Sequence, residues 1–405
     1  MMNIGKLDDL GSLRGTALLR VDFNSPIDPS SNLILDDKRF REHAPTIKAL
    51  EDSKCVVVTH QSRPMKKDFT NLKAHAERLE RLIGRPVDYI DDIFGACARD
   101  AVKAMDFGEV LMLENVRFSS EEVLTMDGED AEKTHLVKGL SSMADYFVYD
   151  AFGTAHRSQP TIVGLPRVMR SVAGLLMEKE VSALSRVLTD APGPVTFVLG
   201  GTKVDDSLAV AKNALEAGIA DNIIFTGVVA NVVYLAEGRN IGKPSTDLVY
   251  SLGYEKEIGL AAELLKKYSD RIVTPDHVAV RGDDGRAECP IDKIPEDKGI
   301  MDLGVESLAN LTGIISSSGT VVLNGPAGVF EDDLFATGTY ELIRASEKAE
   351  FSVVGGGHTA AVIEKMGVDD KFSHISTGGG ACIEFLTGKK LPAVEALEYS
   401  KEKFW

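Results

Sequence analysis

Three glycine-rich turns in the second half of the chain follow apolar, strand-like runs and precede helix-like stretches. They lie at Gly200–Lys203, Gly355–Thr359 and Gly378–Gly380. Such a turn exposes backbone N–H groups at the positive end of a helix, where they suit a phosphate group. Each turn taken alone is equally compatible with an ordinary tight turn. Because the carboxyl ends of parallel strands share one edge of a sheet, we expect the three turns to line one crevice.

Charged and polar side chains, rather than glycines, follow the strand-like runs of the first half. They are Asp22, Asn24, His60, Arg63, Arg117 and Arg157. Guanidinium forks and imidazoles suit a small phosphorylated acid. One arginine after a strand is usually a solvated surface residue, but several at equivalent strand ends indicate an anion pocket. The two halves are therefore expected to bind different ligands, a small anion and the phosphates of a nucleotide.

Strand-like and helix-like patterns alternate along the chain, which predicts an α/β fold with parallel sheets covered by helices. The strands are expected near residues 18–22, 55–59, 109–114, 146–150, 195–199, 222–226, 271–274, 320–324, 351–354 and 371–375. A length of 405 residues favours two domains. One helix over Ser171–Leu188, with prolines on both sides, is expected to connect them.

The composition limits the class of protein. Hydrophobic residues make up 44% of the chain, and no apolar run reaches the roughly 18 residues of a membrane span. The first residues lack the apolar core of a signal peptide, and the four cysteines have neither zinc nor redox spacing, so reduced, buried thiols in a cytoplasmic protein are expected. A net charge of −17 argues against nucleic-acid binding and requires a local basic patch for any anionic substrate.

Several common nucleotide and hydrolase motifs are absent. No Gly-Lys pair is followed by Ser or Thr, which excludes the standard P-loop. The spacing of Gly355, Gly357 and Ala360 fits a dinucleotide fingerprint, but the next strand ends without the acidic residue that such a site needs. No serine-hydrolase or zinc-protease signature occurs.

Six segments, in order and with matching spacing, resemble the phosphoglycerate kinase family over nearly the whole chain. These segments are Arg20–Asn24, Leu113–Phe118, Asp150–Arg157, Leu199–Val204, Asn324–Glu331 and Ser376–Ala381. The resemblance implies two Rossmann-like domains, joined by a connecting helix and hinge, and transfer of a phosphoryl group from 1,3-bisphosphoglycerate to ADP. It implies that the products are 3-phosphoglycerate and ATP, and that Mg²⁺ is required.

The resemblance also implies where the domains lie. An N-terminal domain that binds 3-phosphoglycerate is expected at residues 1–170, the connecting helix at 171–188 and a nucleotide-binding domain at 189–390. A tail at 391–405 is expected to pack back on the N-terminal domain. A monomer and a small homo-oligomer are both compatible with the sequence.

Site residues follow from the same resemblance. Those expected to hold the glycerate are Asp22, Asn24, Arg39, His60, Arg63, Arg117 and Arg157. Those expected to hold the nucleotide are Gly200, Gly201, Lys203, Gly227, Asn324, Glu331, Gly355, Gly356, Gly357, His358 and Thr359. Two of these residues have a simpler alternative role. Asp22 could cap a turn, and the role of Asn324 could be limited to shaping the turn that follows it.

The implied reaction needs no general base, because neither an ADP phosphate oxygen nor a carboxylate carries a proton near pH 7. Transfer depends instead on positioning and on neutralising the transferring oxygens. The candidate catalytic groups are the side chains of Arg39 and Lys203 and the N–H groups of Gly379 and Gly380.

Three positions depart from the family pattern, and we associate these departures with its archaeal-type branch. His358 stands where an aspartate usually binds magnesium, Ser207 where a second lysine is common, and Leu323 where a tryptophan is usual. Imidazole is a poor direct ligand for Mg²⁺. Asp206 is therefore the candidate metal ligand, and His358 is expected to donate a hydrogen bond to phosphate.

Two other functions stay open at this point. One is a nucleotide-binding regulatory protein that kept the fold and lost turnover, which predicts the loss of Arg39 or Lys203; both are present. The other is a phosphotransferase with a different acid as its acceptor. The sequence does not exclude the second.

Overall fold

The computed structural model describes residues 3–405, which form two compact units. Of the described residues, unit 1 comprises 3–182 and 390–405, and unit 2 comprises 183–389. The first boundary falls within the predicted connecting segment. No helix among the described residues is long and apolar enough to cross a membrane.

Unit 1 is built on a six-stranded parallel sheet. The strands of this unit, including two outside that sheet, are β1 (Thr16–Arg20), β2 (Ile27–Asp28), β3 (Leu33–Ile34), β4 (Lys54–Val58), β5 (Asp88–Tyr89), β6 (Val110–Met112), β7 (Tyr146–Tyr149) and β8 (Ser171–Ala173). The sheet order is β5-β6-β4-β1-β7-β8, with β2 and β3 as a separate antiparallel pair. Leu19, Val57 and Val148 align across three neighbouring strands and are fully buried, as expected for a sheet flanked by helices.

Seven α-helices accompany this sheet within residues 3–189. They are α1 (Lys38–Ala49), α2 (Lys73–Ile83), α3 (Ala96–Ala104), α4 (Gly128–Ala131), α5 (His135–Ser141), α6 (Leu165–Val168) and α7 (Leu175–Thr189). Helix α7 begins in unit 1 and continues past Ser182 into unit 2.

The segment Ser171–Leu188 is not one helix, so that prediction is wrong for its first residues. Ser171–Ala173 forms β8, which pairs in parallel with β7, and α7 begins only at Leu175. Pairing with a strand that is distant in sequence outweighs the helical pattern here, and local periodicity does not detect such pairing.

Unit 2 contains a second six-stranded parallel sheet in the order β11-β10-β9-β15-β16-β17. Its strands are β9 (Val195–Leu199), β10 (Asn222–Phe225), β11 (Ile272–Val273), β15 (Thr320–Asn324), β16 (Phe351–Gly355) and β17 (His374–Ile375). Val198, Leu323 and Val354 align across its central strands and are buried in one cluster. The helices of the unit are α8 (Val204–Glu216), α9 (Gly227–Ala236), α10 (Lys243–Ser251), α11 (Glu255–Tyr268), α12 (Val305–Ser316), α13 (Thr337–Ser346), α14 (Gly357–Met366) and α15 (Gly379–Leu386).

A small antiparallel sheet in unit 2 was not predicted. It is formed by β12 (His277–Gly282), β13 (Gly285–Pro290) and β14 (Ile300–Leu303). The residues of β13 are exposed or half-buried, so they give no apolar pattern. Two aspartates and a glycine at the turn into β13 are a hairpin signal that the sequence reading did not use.

The last helix, α16 (Pro392–Phe404), packs within unit 1. The Ala393 N–H donates to the Ala155 carbonyl at 3.1 Å, and the Ser400 hydroxyl oxygen accepts from the Ser171 N–H at 2.9 Å. The Arg170 guanidinium lies 3.7 Å from the ring centre of Trp405.

None of the four cysteines forms a disulfide within residues 3–405. Cys55 and Cys382 are buried, whereas Cys97 is exposed and Cys289 is half-buried. The expectation of buried thiols is therefore wrong for two of the four.

Candidate active site

A basic cavity of about 750 Å³ lies at the carboxyl edge of the parallel sheet in unit 1. It is lined by Asn24, Ser62, Arg63, Pro64, Lys66, Asp68, Arg117, Val123, Arg157 and Gln159. The loops after β1, β4, β6 and β7 supply most of these residues, because parallel strands end at the same edge. Of the predicted glycerate residues, the structure brings Asn24, Arg63, Arg117 and Arg157 together in this cavity.

The arginines of the basic cavity crowd one another. Burial lowers the pKa of Arg117 to about 10, and repulsion from Arg157 and Arg20 adds to the effect. Burial also lowers the pKa of Arg157. The Arg117 guanidinium donates to the Ser62 carbonyl. Both arginines stay protonated near neutral pH, so an anion in the cavity would relieve an unfavourable concentration of positive charge.

A strained loop carries part of this lining. Ser62 has a φ of 55°, a left-handed conformation that is uncommon outside glycine. Its N–H donates to Asn24 Oδ1 at 2.8 Å, and its hydroxyl donates to Asp68 Oδ1 at 2.7 Å. The Asn24 amide oxygen therefore holds the loop. Sequence reasoning missed Ser62 and Lys66, although a second cation three residues after Arg63 was a usable signal.

Asp22 and Arg39 do not line the basic cavity but form an ion pair with each other. Burial alone would raise the pKa of Asp22, but the Arg39 guanidinium, assisted by Arg20, outweighs this and holds the pKa well below its ordinary value. Asp22 is therefore a buried, ionised carboxylate. Its Oδ1 also accepts from the Asn24 N–H at 3.2 Å, so the turn-capping role is present as well.

His60 is fully buried and contacts Arg20 rather than lining the cavity. An Arg20 nitrogen lies 3.2 Å from His60 Nδ1. A guanidinium can only donate, so Nδ1 accepts and the ring proton is on Nε2. Burial, followed by repulsion from Arg20, lowers the pKa of His60 well below its ordinary value. His60 is thus a neutral side chain whose Nε2–H has no partner within residues 3–405.

Arg20, which contacts His60, is a buried cation for which the sequence analysis predicted no role. It is fully buried, donates to the Thr161 hydroxyl at 3.1 Å, and lies 3.8 Å from the buried Glu122 carboxylate. A charged residue at the end of an otherwise apolar strand was the available signal.

A glycine cleft of about 240 Å³ lies at the carboxyl edge of the parallel sheet in unit 2. It is lined by Gly200, Gly201, Thr202, Lys203, Asn324, Gly325, Pro326, Gly356, Gly357, His358, Thr359, Gly379 and Ile383. The neighbouring strands β9, β15, β16 and β17 end at this cleft, and the loops after β9, β16 and β17 lead into α8, α14 and α15. All three predicted glycine turns thus contribute to one cleft, at the positive ends of three helices.

Two positions in the lining of the glycine cleft require glycine. Gly356 has a φ of 86°, in the left-handed region. Gly325 has the same φ, and a Cβ there would lie 2.3 Å from the Gly200 carbonyl oxygen. Close approach of the two loops therefore excludes a side chain at Gly325.

The polar side chains of the glycine cleft are Thr202, Lys203, Asn324, His358 and Thr359. Lys203 is exposed beside the start of α8 and forms no ion pair within residues 3–405. The Asn324 side-chain oxygen is buried without a hydrogen-bond partner in the described chain. Thr359 accepts from the Gly325 N–H at 3.1 Å, so its hydroxyl supports the loop.

Four other predicted or discussed residues lie outside this lining. Gly355, at the end of β16, and Gly380, in the first turn of α15, do not line the cleft. Asp206 is half-buried one turn after Lys203, and Ser207 is buried inside α8. Burial, followed by repulsion from Asp205, raises the pKa of Asp206. No group of three or more His, Cys, Asp or Glu side chains is arranged to hold a metal among the described residues.

An apolar pocket of about 220 Å³ shares Gly201, Thr202, Pro326 and His358 with the glycine cleft. Its other lining residues are Gly227, Val228, Asn231, Leu248, Ile300, Met301, Ala327, Gly328, Val329, Phe330 and Glu331. Two predicted nucleotide residues, Gly227 and Glu331, are found here rather than in the glycine cleft. Val228, Leu248, Ile300 and Met301 belong to none of the six family-like segments, so sequence reasoning missed them, whereas Ala327, Val329 and Phe330 lie within the Asn324–Glu331 segment.

Comparison with known proteins agrees with this arrangement. A model of the family described as phosphoglycerate kinase matches residues 7–389. The chain is 62% identical over 403 residues to the phosphoglycerate kinase of Methanocorpusculum labreanum, covering all of both chains. It is 48% identical to that of Methanosarcina mazei, over 99% of this chain and 97% of the relative. Both organisms are archaea.

Two solved structures are also similar. The crystal structure of phosphoglycerate kinase from Pyrococcus horikoshii OT3 has a TM-score of 0.91 and 41% identity, over 99% of this chain and 100% of that one. The structure from Coxiella burnetii has a TM-score of 0.82 and 32% identity, over 97% and 98%. The chain therefore belongs to the phosphoglycerate kinase family, the enzymes that transfer a phosphoryl group between 1,3-bisphosphoglycerate and ADP.

Proposed function

We propose that the basic cavity of unit 1 binds the phosphoglycerate and that the glycine cleft and apolar pocket of unit 2 bind the nucleotide. The main support is the convergence of Arg63, Lys66, Arg117 and Arg157 on one cavity in a chain with a net charge of −17. Such a concentration of cations is costly without an anion. One guanidinium can donate two parallel hydrogen bonds to two oxygens of a phosphate, which suits a phosphorylated acid.

Neutral donors next to the arginines would recognise the rest of the glycerate. The Asn24 oxygen is engaged by Ser62, which leaves its NH₂ group as a donor. The His60 Nε2–H has no partner in the described chain and can donate to a substrate oxygen. In this proposal Asp22 accepts from a substrate hydroxyl and holds Arg39.

The nucleotide phosphates would lie against the helix N-termini of the glycine cleft. Lys203 adds a positive charge there, and the buried Asn324 offers polar atoms. The apolar pocket would hold the base, and the Glu331 carboxylate can accept from ribose hydroxyls. His358 belongs to both linings, so we place it beside the phosphates.

In the direction of ATP synthesis, an ADP β-phosphate oxygen attacks the phosphorus of the acyl phosphate. The new P–O bond forms as the bond to the carboxyl oxygen breaks, and the electron pair leaves with the carboxylate. We assign stabilisation of the transferring oxygens to Arg39, Lys203 and the N–H groups of Gly379 and Gly380. The two ligands are assigned to different units, so direct transfer requires that they be brought together before reaction.

Magnesium fits these residues only as an ion shared with the nucleotide. Mg²⁺ prefers oxygen ligands and keeps several waters, so one carboxylate plus phosphate oxygens suffices. Asp206 would be that carboxylate, because repulsion from Asp205 already favours a cation beside it. When bound, the ion would neutralise phosphate charge.

The experiment that tests this function is a coupled assay of ATP consumption with 3-phosphoglycerate and a panel of other phosphorylated acids. We expect the highest kcat/KM with 3-phosphoglycerate. Equal or higher kcat/KM with an acid of different shape would contradict the assignment of the basic cavity.

A further inference from the structure

A buried chain of hydrogen bonds runs from Asp22 to Asp150 through His43. The Asp22 backbone N–H donates to His43 Nε2 at 3.1 Å, and His43 Nδ1 lies 2.8 Å from Asp150 Oδ2. His43 is 2% exposed and Asp150 is fully buried. A backbone N–H can only donate, so Nε2 is the acceptor and Nδ1 carries the proton toward Asp150. The two contacts fix one neutral tautomer of His43.

The same chain reaches the first turn of α7. Asp150 Oδ1 accepts from the N–H groups of Leu176 at 2.9 Å and Met177 at 3.2 Å. The Thr46 hydroxyl oxygen accepts from the Leu175 N–H at 3.0 Å. The first backbone N–H groups of a helix have no partner within the helix, and a carboxylate at this end also complements the helix dipole. Two side chains of unit 1 therefore cap α7 at three successive residues.

Helix α1 supplies the side chains that contact both Asp22 and the cap of α7. Arg39, His43 and Thr46 are spaced by four and three residues, which places them on one face of the helix. Arg39 pairs with the Asp22 carboxylate, whereas His43 and Thr46 hold the start of α7, directly or through Asp150. Helix α7 is the element that continues from unit 1 into unit 2.

We propose that His43 is a positioning residue for phosphoryl transfer: its two ring nitrogens tie the main chain at Asp22, and with it the Asp22–Arg39 pair, to the capped start of α7. The proposal rests on the assignment of Asp22 and Arg39 to the substrate site made above. His43 does not line the basic cavity, so it acts through Asp22. Among residues 3–405, its neutral imidazole is the only group that both accepts from the Asp22 N–H and donates to Asp150.

Two substitutions separate the two contacts. In His43→Asn the amide can still donate to Asp150 from near the Nδ1 position, but it is too short to accept from the Asp22 N–H. In His43→Gln the amide oxygen can accept from Asp22 near the Nε2 position, while the donor to Asp150 is lost. Each of the two replacements therefore tests one of the two hydrogen bonds that the imidazole makes.

We expect His43→Asn to raise the KM for 3-phosphoglycerate about tenfold and, because it also loses one buried hydrogen bond, to lower the thermal midpoint by about 3 °C. We expect His43→Gln to keep this KM within about twofold and to lower the midpoint by about 3 °C, a typical shift for losing one buried hydrogen bond in a domain of this size. Thr46→Val, which removes only a cap of α7, should behave like His43→Gln. A His43→Asn variant with unchanged KM and kcat, or equal kinetic losses in all three variants, would overturn the proposal.

Asp22→Asn distinguishes failure of this proposal from failure of the substrate assignment. If Asp22→Asn leaves the KM for 3-phosphoglycerate unchanged, the assignment of Asp22 to the substrate site is wrong. If Asp22→Asn raises this KM and His43→Asn does not, the assignment stands and the positioning role of His43 is wrong.

Discussion

The Arg39 guanidinium forms an ion pair with the carboxylate of Asp22, which is almost completely buried, while the arginine side chain itself remains 36% exposed. The carboxylate therefore fixes one nitrogen of the guanidinium and leaves part of the group accessible. This geometry suits a cation that a buried carboxylate orients and whose accessible nitrogens contact a ligand. It also explains why the pKa of Asp22 stays low in spite of burial, which by itself would raise it.

Arg39→Ala should lower kcat by a factor on the order of 10³, because arginines that neutralise a transferring phosphoryl group contribute about this much. ADP affinity should change less than about threefold, since the nucleotide is assigned to unit 2. Steady-state kinetics and calorimetry measure the two effects. Arg41→Ala is the matched control, because Arg41 lies on the same helix and is more exposed. A variant at Arg39 that keeps more than about a tenth of wild-type kcat would place Arg39 outside the transition state.

Asp206→Asn should raise the magnesium concentration needed for half-maximal rate, because it removes the one carboxylate assigned to the ion. His358→Gln should leave this concentration nearly unchanged and weaken ATP binding a few-fold, since His358 is assigned to phosphate. Rates measured over a magnesium titration at fixed nucleotide concentration separate the two variants. A larger shift in His358→Gln than in Asp206→Asn would show that the assignments are reversed.

His75 should make stability depend on acid pH. Burial lowers its pKa from 6.5 to about 4 in the folded protein. The unfolded chain therefore binds a proton at a higher pH than the folded chain does, so the free energy of unfolding decreases as the pH falls from 6.5 toward 4. The slope should approach about 1.4 kcal/mol per pH unit, for a total of roughly 3 kcal/mol from this residue.

Urea unfolding between pH 7 and pH 4.5 measures this effect by comparison with His75→Gln, whose amide can keep the contact to Gln61. The variant should lose less stability on acidification than the wild type. His135→Gln, at an exposed histidine, should show the wild-type slope. Parallel pH profiles for wild type and His75→Gln would mean that His75 does not titrate as burial requires.

The sequence was sufficient to predict the parallel sheets and the residues at their carboxyl edges, because buried strands and glycine turns leave local patterns. It did not separate residues that line a cavity from those that support it. Asp22 and His60 lie beside the basic cavity and Gly355 lies beside the glycine cleft, although all three belong to the same strand-end motifs as the lining residues. Which of two adjacent side chains faces a cavity depends on distant packing partners, such as Arg20 for His60.

Other elements depend on contacts that no local pattern contains. Strand β8 exists because it pairs with β7, and β13 is a polar strand held by β12. The buried connection from Asp22 through His43 to Asp150 joins residues from three distant segments. Asp22 and Asp150 lie in strand-end motifs, and His43 is an imidazole on the buried face of an amphipathic helix, but none of these local patterns shows that the three residues are connected.

The central claim is that the two units bind different substrates, and calorimetric binding of 3-phosphoglycerate and of ADP to Arg117→Ala and Lys203→Ala tests it most directly. Arg117→Ala should weaken 3-phosphoglycerate at least tenfold, about 1.4 kcal/mol, and leave ADP within about twofold of wild type. Lys203→Ala should weaken ADP at least tenfold and leave 3-phosphoglycerate within about twofold. Lys212→Ala, in the helix that begins directly after Lys203, should change neither affinity. If Arg117→Ala weakens ADP as much as 3-phosphoglycerate, or leaves 3-phosphoglycerate binding unchanged, the assignment of one substrate to each unit is contradicted.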